Sequence, residues 1–491
     1  MCGFNVILKK RKDYKIDDGK FLKSSNIIAH RGPDSNGYYE DDLIKISFFR
    51  LSIMDLSSRA NQPMFSFNRR YVIAFNGEIY NKDELSFKIN RKKLKTTSDT
   101  EVLINLFQKY KENCLNMIKG MFSFVIYDRI NKQVFFARDR FGIKPLYFHI
   151  SKNHFFFSSE IKPIVFYNKI NSFDEKMEAD FFFNQEIESN GKTFFKEISN
   201  LKSGHFGKII KNKISFFRYW QLENKKINQS NLQKINNLRE LFKKSVKSHL
   251  LLDVNTGLLL SSGTDSKALG YEIKQGKKKF NTYTYDFKND KDYGESKIAS
   301  KVSKDLKAKH FIEYIDEKFV INNFEKMTSI IESPFTSIRL FGDLKLYNKC
   351  RLNNDKVVLV GHGGDEIFGG YEYNFFSALI ENFLKTKNYS EIIKFTKKTG
   401  NNLIRNIDMF YDQSSISRDG KKTIFKTNFE KDFVDTYYRR LNMNFEDNKN
   451  NYNLLQKSQL ADIFVRSLSR NLKYCDRISM HNSVEARIPF L

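Results

Sequence analysis

Cys2 stands directly behind the initiator methionine in MCGFNVILKK. A methionine followed by a small side chain is commonly removed, which would leave Cys2 with a free α-amine of pKa about 7.7 to 8. One residue would then carry both an intrinsically nucleophilic thiol and the base that activates it. A second chemical signal, LLLSSGTDSKA, begins at Leu258, and a third, GHGGDEIFGGY, ends at Tyr371. The former runs from a strand through a loop of small hydroxyl and glycine residues into a helix start, so that backbone N–H groups can hold polyphosphate. It is not a Walker A loop, because no GxxxxGK[ST] occurs. Other polar residues of the first half have plain readings: Arg50 as a strand-end charge, Asp99 as a first-turn helix acid, Asn76-Gly77 as a type I′ turn.

The elements that must position these residues fall into two patterns. FNVILKK, LIKISFFRLSI, YVIAFNGEIY, FSFVIYDR, QVFFARDR, PLYFHI and HFFFSS are short apolar or aromatic runs between turn residues, the signature of antiparallel sheets. Ser98 followed three residues later by Glu101 predicts a capping box, and Val102, Leu103, Leu106 and Phe107 then form a helical stripe that packs on a sheet. Residues 171 to 190 read as helix or loop, leading to the hairpin FFKEISNLKSGHFGKII…KISFFRYW. The polar stretch after Trp220, QLENKKINQSNLQKINN, marks a domain boundary. Beyond it Leu238, Leu241, Phe242, Val246 and Leu250 make one helix face, and VNTGLLL, NTYTYDF and KVVLV are brief strands alternating with helices, SKALGYEIK and a polar helix among them. That alternation indicates a parallel sheet covered on both sides. No internal repeat or low-complexity segment is evident.

MCG, HRGPDSNG from His30 to Gly37, RLSI from Arg50 to Ile53, FNGEIYN from Phe75 to Asn81, the turn from Ser98 to Glu101, MFSFVIYD and ARDRFGIKPLY resemble, in this order, the class II glutamine amidotransferase domain of the glutamine-hydrolysing asparagine synthetase family. The resemblance implies an α+β N-terminal nucleophile hydrolase sandwich with α-β-β-α layers over residues 1 to 215 and a linker over 216 to 232. Residues 233 to 491 would then form an α/β parallel-sheet ATP-pyrophosphatase domain of Rossmann-like form. It implies that Cys2 attacks the side-chain amide of glutamine, releasing ammonia and leaving a glutamyl thioester for water. The Asn76 amide and the Gly77 N–H would stabilise the tetrahedral oxygen. Arg50 would pair bidentately with the glutamine α-carboxylate and Asp99 with its α-ammonium, with Glu78 and Ile53 as further contacts. His30 is read as structural, since the free α-amine serves as base in this family.

In the second half the resemblance places Leu259, Val360 and Gly361 in an adenine pocket and Ser261, Ser262, Gly263, Thr264, Asp265 and Ser266 around pyrophosphate. Asp265 and Asp365 would ligate Mg²⁺. The implied reaction activates a carboxylate, aspartate or a relative of it, as an acyl-AMP that ammonia converts to a primary amide. DRISMHNSVEARIPFL, from Asp476, belongs to the same half. Three positions depart from the pattern. Ser262 replaces the first loop glycine, where a Cβ can clash with phosphate or forbid a positive φ. His362, beside Glu366 at the acceptor site, replaces an acid or glutamine, which opens the alternatives of another acceptor, such as a surface-polysaccharide uronic acid or a peptide, and of a degenerate synthetase half. The sequence stops at Leu491, where relatives continue with further helices and a lysine that stabilises adenylation. The second domain is therefore expected to be C-terminally incomplete, with an exposed apolar face, able to hydrolyse glutamine but making little amide.

At 491 residues with 40% hydrophobic side chains, the chain is long enough for two cores, which excludes a peptide hormone or disulfide miniprotein. Cys2, Cys114, Cys350 and Cys475 form no CxxC pair, so neither a zinc ribbon nor an iron-sulfur cluster is expected. The net charge of +27 is spread through lysines in almost every segment, and no nucleic-acid motif accompanies it, so no nucleic-acid partner is expected. No apolar run is long enough to cross a bilayer and no signal peptide is present, which makes a cytoplasmic location the expectation. A homodimer is compatible with the sequence.

Overall fold

The computed structural model describes residues 2–225, 227–276, 279–288, 294–371 and 452–491, together with isolated positions between 374 and 382. Met1, whose removal the reading of Cys2 requires, and much of the second domain's span lie outside the described residues.

In chain order the strands of the first domain are β1 (Cys2–Lys9), β2 (Ser35–Glu40), β3 (Ile44–Arg50), β4 (Met64–Phe65), β5 (Tyr71–Ile79), β6 (Gly120–Asp128), β7 (Gln133–Arg138), β8 (Tyr147–Ile150), β9 (His154–Ser158), β10 (Ile198–Asn200), β11 (His205–Ile210) and β12 (Lys213–Arg218). They form two six-stranded sheets, ordered β10-β8-β9-β1-β3-β2 and β12-β11-β7-β6-β5-β4, whose paired strands run antiparallel. The period-two alternation of β1 explains the layering. Phe4, Val6 and Leu8 point into a core between the sheets with Val72, Ala74, Val125 and Phe136. Ile7 points the other way, among Phe21, Ile161 and Ile164 of two covering helices. On the outside of the second sheet, helix Asp99–Tyr110 buries Val102, Leu103, Leu106 and Phe107 against Ile73, Phe75, Phe122 and Phe124. Helix, sheet, sheet and helix make the four expected layers.

The second domain carries β13 (Thr256–Leu259), β14 (Asn281–Phe287), β15 (Lys309–Ile315), β16 (Val357–Leu359) and β17 (Glu485–Arg487), all parallel in the order β15-β14-β13-β16-β17. The cores of the two domains are continuous. Leu51 and Ile53 pack with Val246, Leu258, Leu260 and Met480, and Met121 and Ile143 share a cluster with Tyr283, Val358, Cys475 and Ile478.

Several expectations are corrected. Asn76 and Gly77 lie inside β5, paired with Ser123 and Phe122, and form no turn. Ser98 caps its helix by accepting from Thr100 N, but Glu101 turns away to accept from the amides of Lys95 and Thr96, so no reciprocal capping box forms. The region 171 to 190, by contrast, agrees with its reading as helix or loop and contains a helix, Glu175–Asn184, capped by Asp174. The helix Asn231–His249 forms, and of the five residues on its apolar face only Val246 is fully buried. Leu238 and Leu241 are exposed, because the helix rests on the sheet domain by its C-terminal end. Helix Arg339–Leu352, which reads as polar, buries six side chains, including Leu340, Phe341 and Tyr347, and Gly342.

Candidate functional site

Strand β1 is an interior strand held between β3 and β9, so Cys2 enters the core at a fixed point opposite Arg50. The Cys2 backbone nitrogen donates to Asn76 Oδ1 at 3.1 Å. Asn76 is fully buried, and its Nδ2 has no partner among the described residues. Gly77 follows with φ 158°, and a Cβ there would stand 2.2 Å from the Met121 carbonyl oxygen. The position therefore admits only glycine, which brings the β5 backbone close to β6. Burial raises the Cys2 thiol pKa, opposed by the positive chain start, the Leu51 amide and Arg50. The resting thiol thus stays protonated until a base takes its proton.

Around this centre, Asp99 Oδ2 accepts from Ile79 N at 2.9 Å, and burial pushes its pKa up to about 6. Glu78 is buried 3.2 Å from Arg487, and desolvation with the nearby Glu485 holds its pKa above the usual range. Ile53 is buried in the cluster that joins the two domains. Arg50 is committed to its own loop: Nη1 donates to Ser57 O at 2.9 Å and Asn61 Oδ1 at 2.8 Å, and Nη2 donates to Met54 O at 3.2 Å and to Asp55 O. The bidentate grip expected of Arg50 requires that loop to yield. His30 lies elsewhere, with Nε2 3.1 Å from Glu160 Oε1.

Sequence reasoning assigned no role to Arg31, although it lies in the quoted HRGPD run. Its Nε donates to the Cys2 carbonyl at 3.1 Å, Nη1 to Glu160 at 3.0 Å, and Nη2 pairs with Asp476 at 3.0 Å. Arg477 reaches Glu332 at 2.6 Å and Glu160 at 3.3 Å, and Arg487 donates to His249 O at 2.7 Å. All three cations are fully buried: Arg31 ties the nucleophile strand to Asp476 of the second domain, and Arg477 reaches back to Glu160 of the first, both through charge-assisted bonds. A cavity of about 490 Å³ between the halves is lined by Phe141, Ile143, Trp220, Phe464 and Asp476, and does not reach Cys2 or Asp265.

At the C-terminal edge of the parallel sheet, β13 leads through Leu259, Ser261, Ser262 and Gly263 into helix Thr264–Gly276. Ser261 N and Oγ lie 3.1 and 3.0 Å from Ser266 Oγ, while Ser262 N donates to Glu295. Ser262 is absent from the positive-φ positions, so the left-handed backbone that a glycine would permit is not used there. Val360 N donates to Arg487 O, which places Val360, Gly361 and His362 beyond β16 at the same edge. The backbone of Gly364 approaches Asp265 so closely that a Cβ would sit 2.0 Å from its carboxylate. Burial and the facing Asp365 and Glu366 raise Asp265 to about 6, and Asp365 is raised by burial and Glu366. Two carboxylates in mutual repulsion suit a hard divalent cation. Among the described residues no group of three or more His, Cys, Asp or Glu side chains could hold a metal, so phosphate oxygens and water would have to complete its shell. Glu366 itself is engaged by Gly363 N, Tyr371 and Ser467. Burial lowers the pKa of His362, leaving its imidazole neutral.

Comparison with known proteins matches residues 1–220 to the glutamine amidotransferase domain and residues 237–491 to asparagine synthase. The chain belongs to the asparagine synthase family. It is 28% identical over its whole length to asparagine synthetase [glutamine-hydrolyzing] 1 of Bacillus subtilis, of which it spans 79%. A second B. subtilis asparagine synthetase is 31% identical over 95% of the chain, which spans 62% of that protein. A putative asparagine synthetase of Methanocaldococcus jannaschii is 29% identical over 76% of both. As a member of the asparagine synthase family the chain is an enzyme, a ligase with a glutamine amidotransferase domain. Among the described residues no helix is long and apolar enough to cross a membrane.

Proposed function

We propose that the protein hydrolyses glutamine at Cys2 and uses the ammonia for ATP-dependent synthesis of a primary amide, with L-aspartate as the acceptor. The observation that carries this reading is the 3.1 Å bond from Cys2 N to Asn76 Oδ1, beside a buried Asn76 Nδ2 without a partner among the described residues. In the first half-reaction the Cys2 α-amine takes the thiol proton and sulfur attacks the carboxamide carbon. Asn76 Nδ2 and Gly77 N–H donate to the oxygen as it becomes negative. The carbon–nitrogen bond breaks, the proton passes from the amine to the departing nitrogen, and ammonia leaves a glutamyl thioester. Water adds to that carbon, giving one proton to the amine, and glutamate leaves as the thiol is re-formed. Arg50, Ile53, Glu78 and Asp99 hold the amino-acid end of the substrate.

In the second half-reaction the acceptor carboxylate attacks the α-phosphorus of ATP, displacing pyrophosphate, and ammonia then displaces AMP from the acyl carbon. Ser261 to Ser266 cradle the phosphates, and Leu259, Val360 and Gly361 line the base. Asp265 and Asp365 would hold Mg²⁺, which neutralises phosphate charge. Ammonia is largely protonated and freely diffusible in water, which is the physical reason for joining the two halves in one chain with a protected passage between them.

One feature favours a sibling reaction on another carboxylate: His362, a half-buried imidazole held neutral by desolvation, stands beyond β16 at the sheet edge that also carries Asp365 and Glu366. A screen of carboxylate acceptors, scored by glutamine-dependent AMP formation, separates the two. The leading reading expects the largest response from L-aspartate. It fails if another acceptor gives AMP while L-aspartate gives none.

A further inference from the structure

Arg50 has five N–H groups, and the four on its terminal nitrogens all point into the loop Leu51–Ser57 and to Asn61. Only Nε–H remains for a substrate. The loop that occupies Arg50 is held in part by the other domain. Asp55 N donates to Asp253 Oδ2 at 2.9 Å, and Asp253 N donates to Ile53 O at 3.1 Å. Asp253 lies between helix Asn231–His249 and β13, the strand that carries the phosphate loop.

Asp55 is the pivot of this arrangement. Its φ of 52° is left-handed, a conformation that a residue with a side chain keeps only where its surroundings fix it. Asp253 fixes its N–H, Arg50 its carbonyl, and Ser57 and Thr97 its carboxylate. Thr97 adjoins Ser98 and Asp99, so the same pivot touches both ends of the amino-acid pocket.

We infer that Asp253 is a positioning residue for glutamine capture, pinning Asp55 from the synthetase side in the arrangement that keeps the Arg50 fork occupied. The inference rests on the reading of Arg50 as the carboxylate clamp. Apparent affinity scales with the fraction of molecules that are competent to bind. Releasing the pin enlarges that fraction and lowers KM for glutamine. The turnover number, set at Cys2 and Asn76, stays the same. A residue that merely supported the fold would raise KM or lower kcat when removed.

The test is initial-rate glutaminase kinetics on the full chain carrying Asp253→Ala or Asp253→Asn, with thermal unfolding confirming that both variants fold like the parent. Asp253→Ala is expected to lower KM by roughly two- to tenfold, the effect of one hydrogen bond, at unchanged kcat. Asp253→Asn keeps an oxygen that accepts from Asp55 N and should retain the parent KM. An unchanged or raised KM in Asp253→Ala overturns the inference and leaves the reading of Arg50 standing, as does an Asp253→Asn that behaves like Asp253→Ala. Arg50→Gln with the parent KM overturns the reading of Arg50, and the inference falls with it.

Discussion

Two ionisable groups at the glutamine site titrate within reach of neutral pH, and both lose activity as pH falls. The Cys2 α-amine must be neutral to accept the thiol proton, so activity falls as pH drops below about 7.7 to 8. Asp99, raised by burial to about 6, must be ionised to pair with the glutamine ammonium. Below pH 6 it becomes neutral and that attraction is lost. The logarithm of kcat/KM for glutamine should therefore fall with one slope below the amine pKa and steepen by about one further unit per pH unit below about 6. Asp99→Asn should lower kcat/KM and remove only the second step. A pH profile of both proteins checks this, and an unaltered steepening in Asp99→Asn would exclude Asp99 as its source.

At the scale of elements, β5 and β6 must approach where Gly77 leaves no room for a side chain, 2.2 Å from the Met121 carbonyl. Gly77→Ala should destabilise the protein by about 1–3 kcal/mol through overpacking and reduce glutaminase turnover, read by thermal unfolding and glutamate formation. The strands of the first domain were largely legible because aromatic and β-branched runs alternate with turn residues. β2 escaped because SNGYYE, half-buried and paired on one side with β3, has no apolar run. The stripe at Leu238 and Leu241 pointed to a helix, which forms, but periodicity reports that a face is apolar, not whether anything packs on it, and both side chains are exposed. Glu101 misled because its carboxylate finds backbone donors at Lys95 and Thr96 as readily as the N-cap amide. The motifs named Cys2 and Asn76, which share a 3.1 Å hydrogen bond, and Asp99, which accepts from Ile79 on the strand that carries Asn76. They could not show the Arg31–Asp476 bond, whose partners stand 445 positions apart.

The whole molecule is bound together by buried charges that each half needs from the other. Glu332 of the second domain accepts from the Ile161 and Lys162 amides of the first and pairs with Arg477 at 2.6 Å. Without Glu332 the buried Arg477 keeps Glu160 but loses its shorter ion pair, and the Ile161 and Lys162 amides lose their acceptor, so Glu332→Ala should destabilise the chain by about 3–5 kcal/mol. The parent should unfold in one calorimetric transition, because two hydrophobic clusters cross the interface. In Glu332→Ala the two domains should begin to separate into two transitions. A parent that already unfolds in two independent steps would contradict the coupling of the halves.

The claim on which the rest depends is that Cys2, freed of Met1, carries the glutamyl group during turnover. Acid-quenched enzyme turning over saturating glutamine can be digested and its N-terminal peptide weighed by mass spectrometry. The account predicts a peptide that begins at Cys2 and bears a glutamyl thioester, absent from Cys2→Ala, which should make no glutamate. A peptide that retains Met1, or carries no adduct while glutamine is hydrolysed at the parent rate by Cys2→Ala, would contradict it.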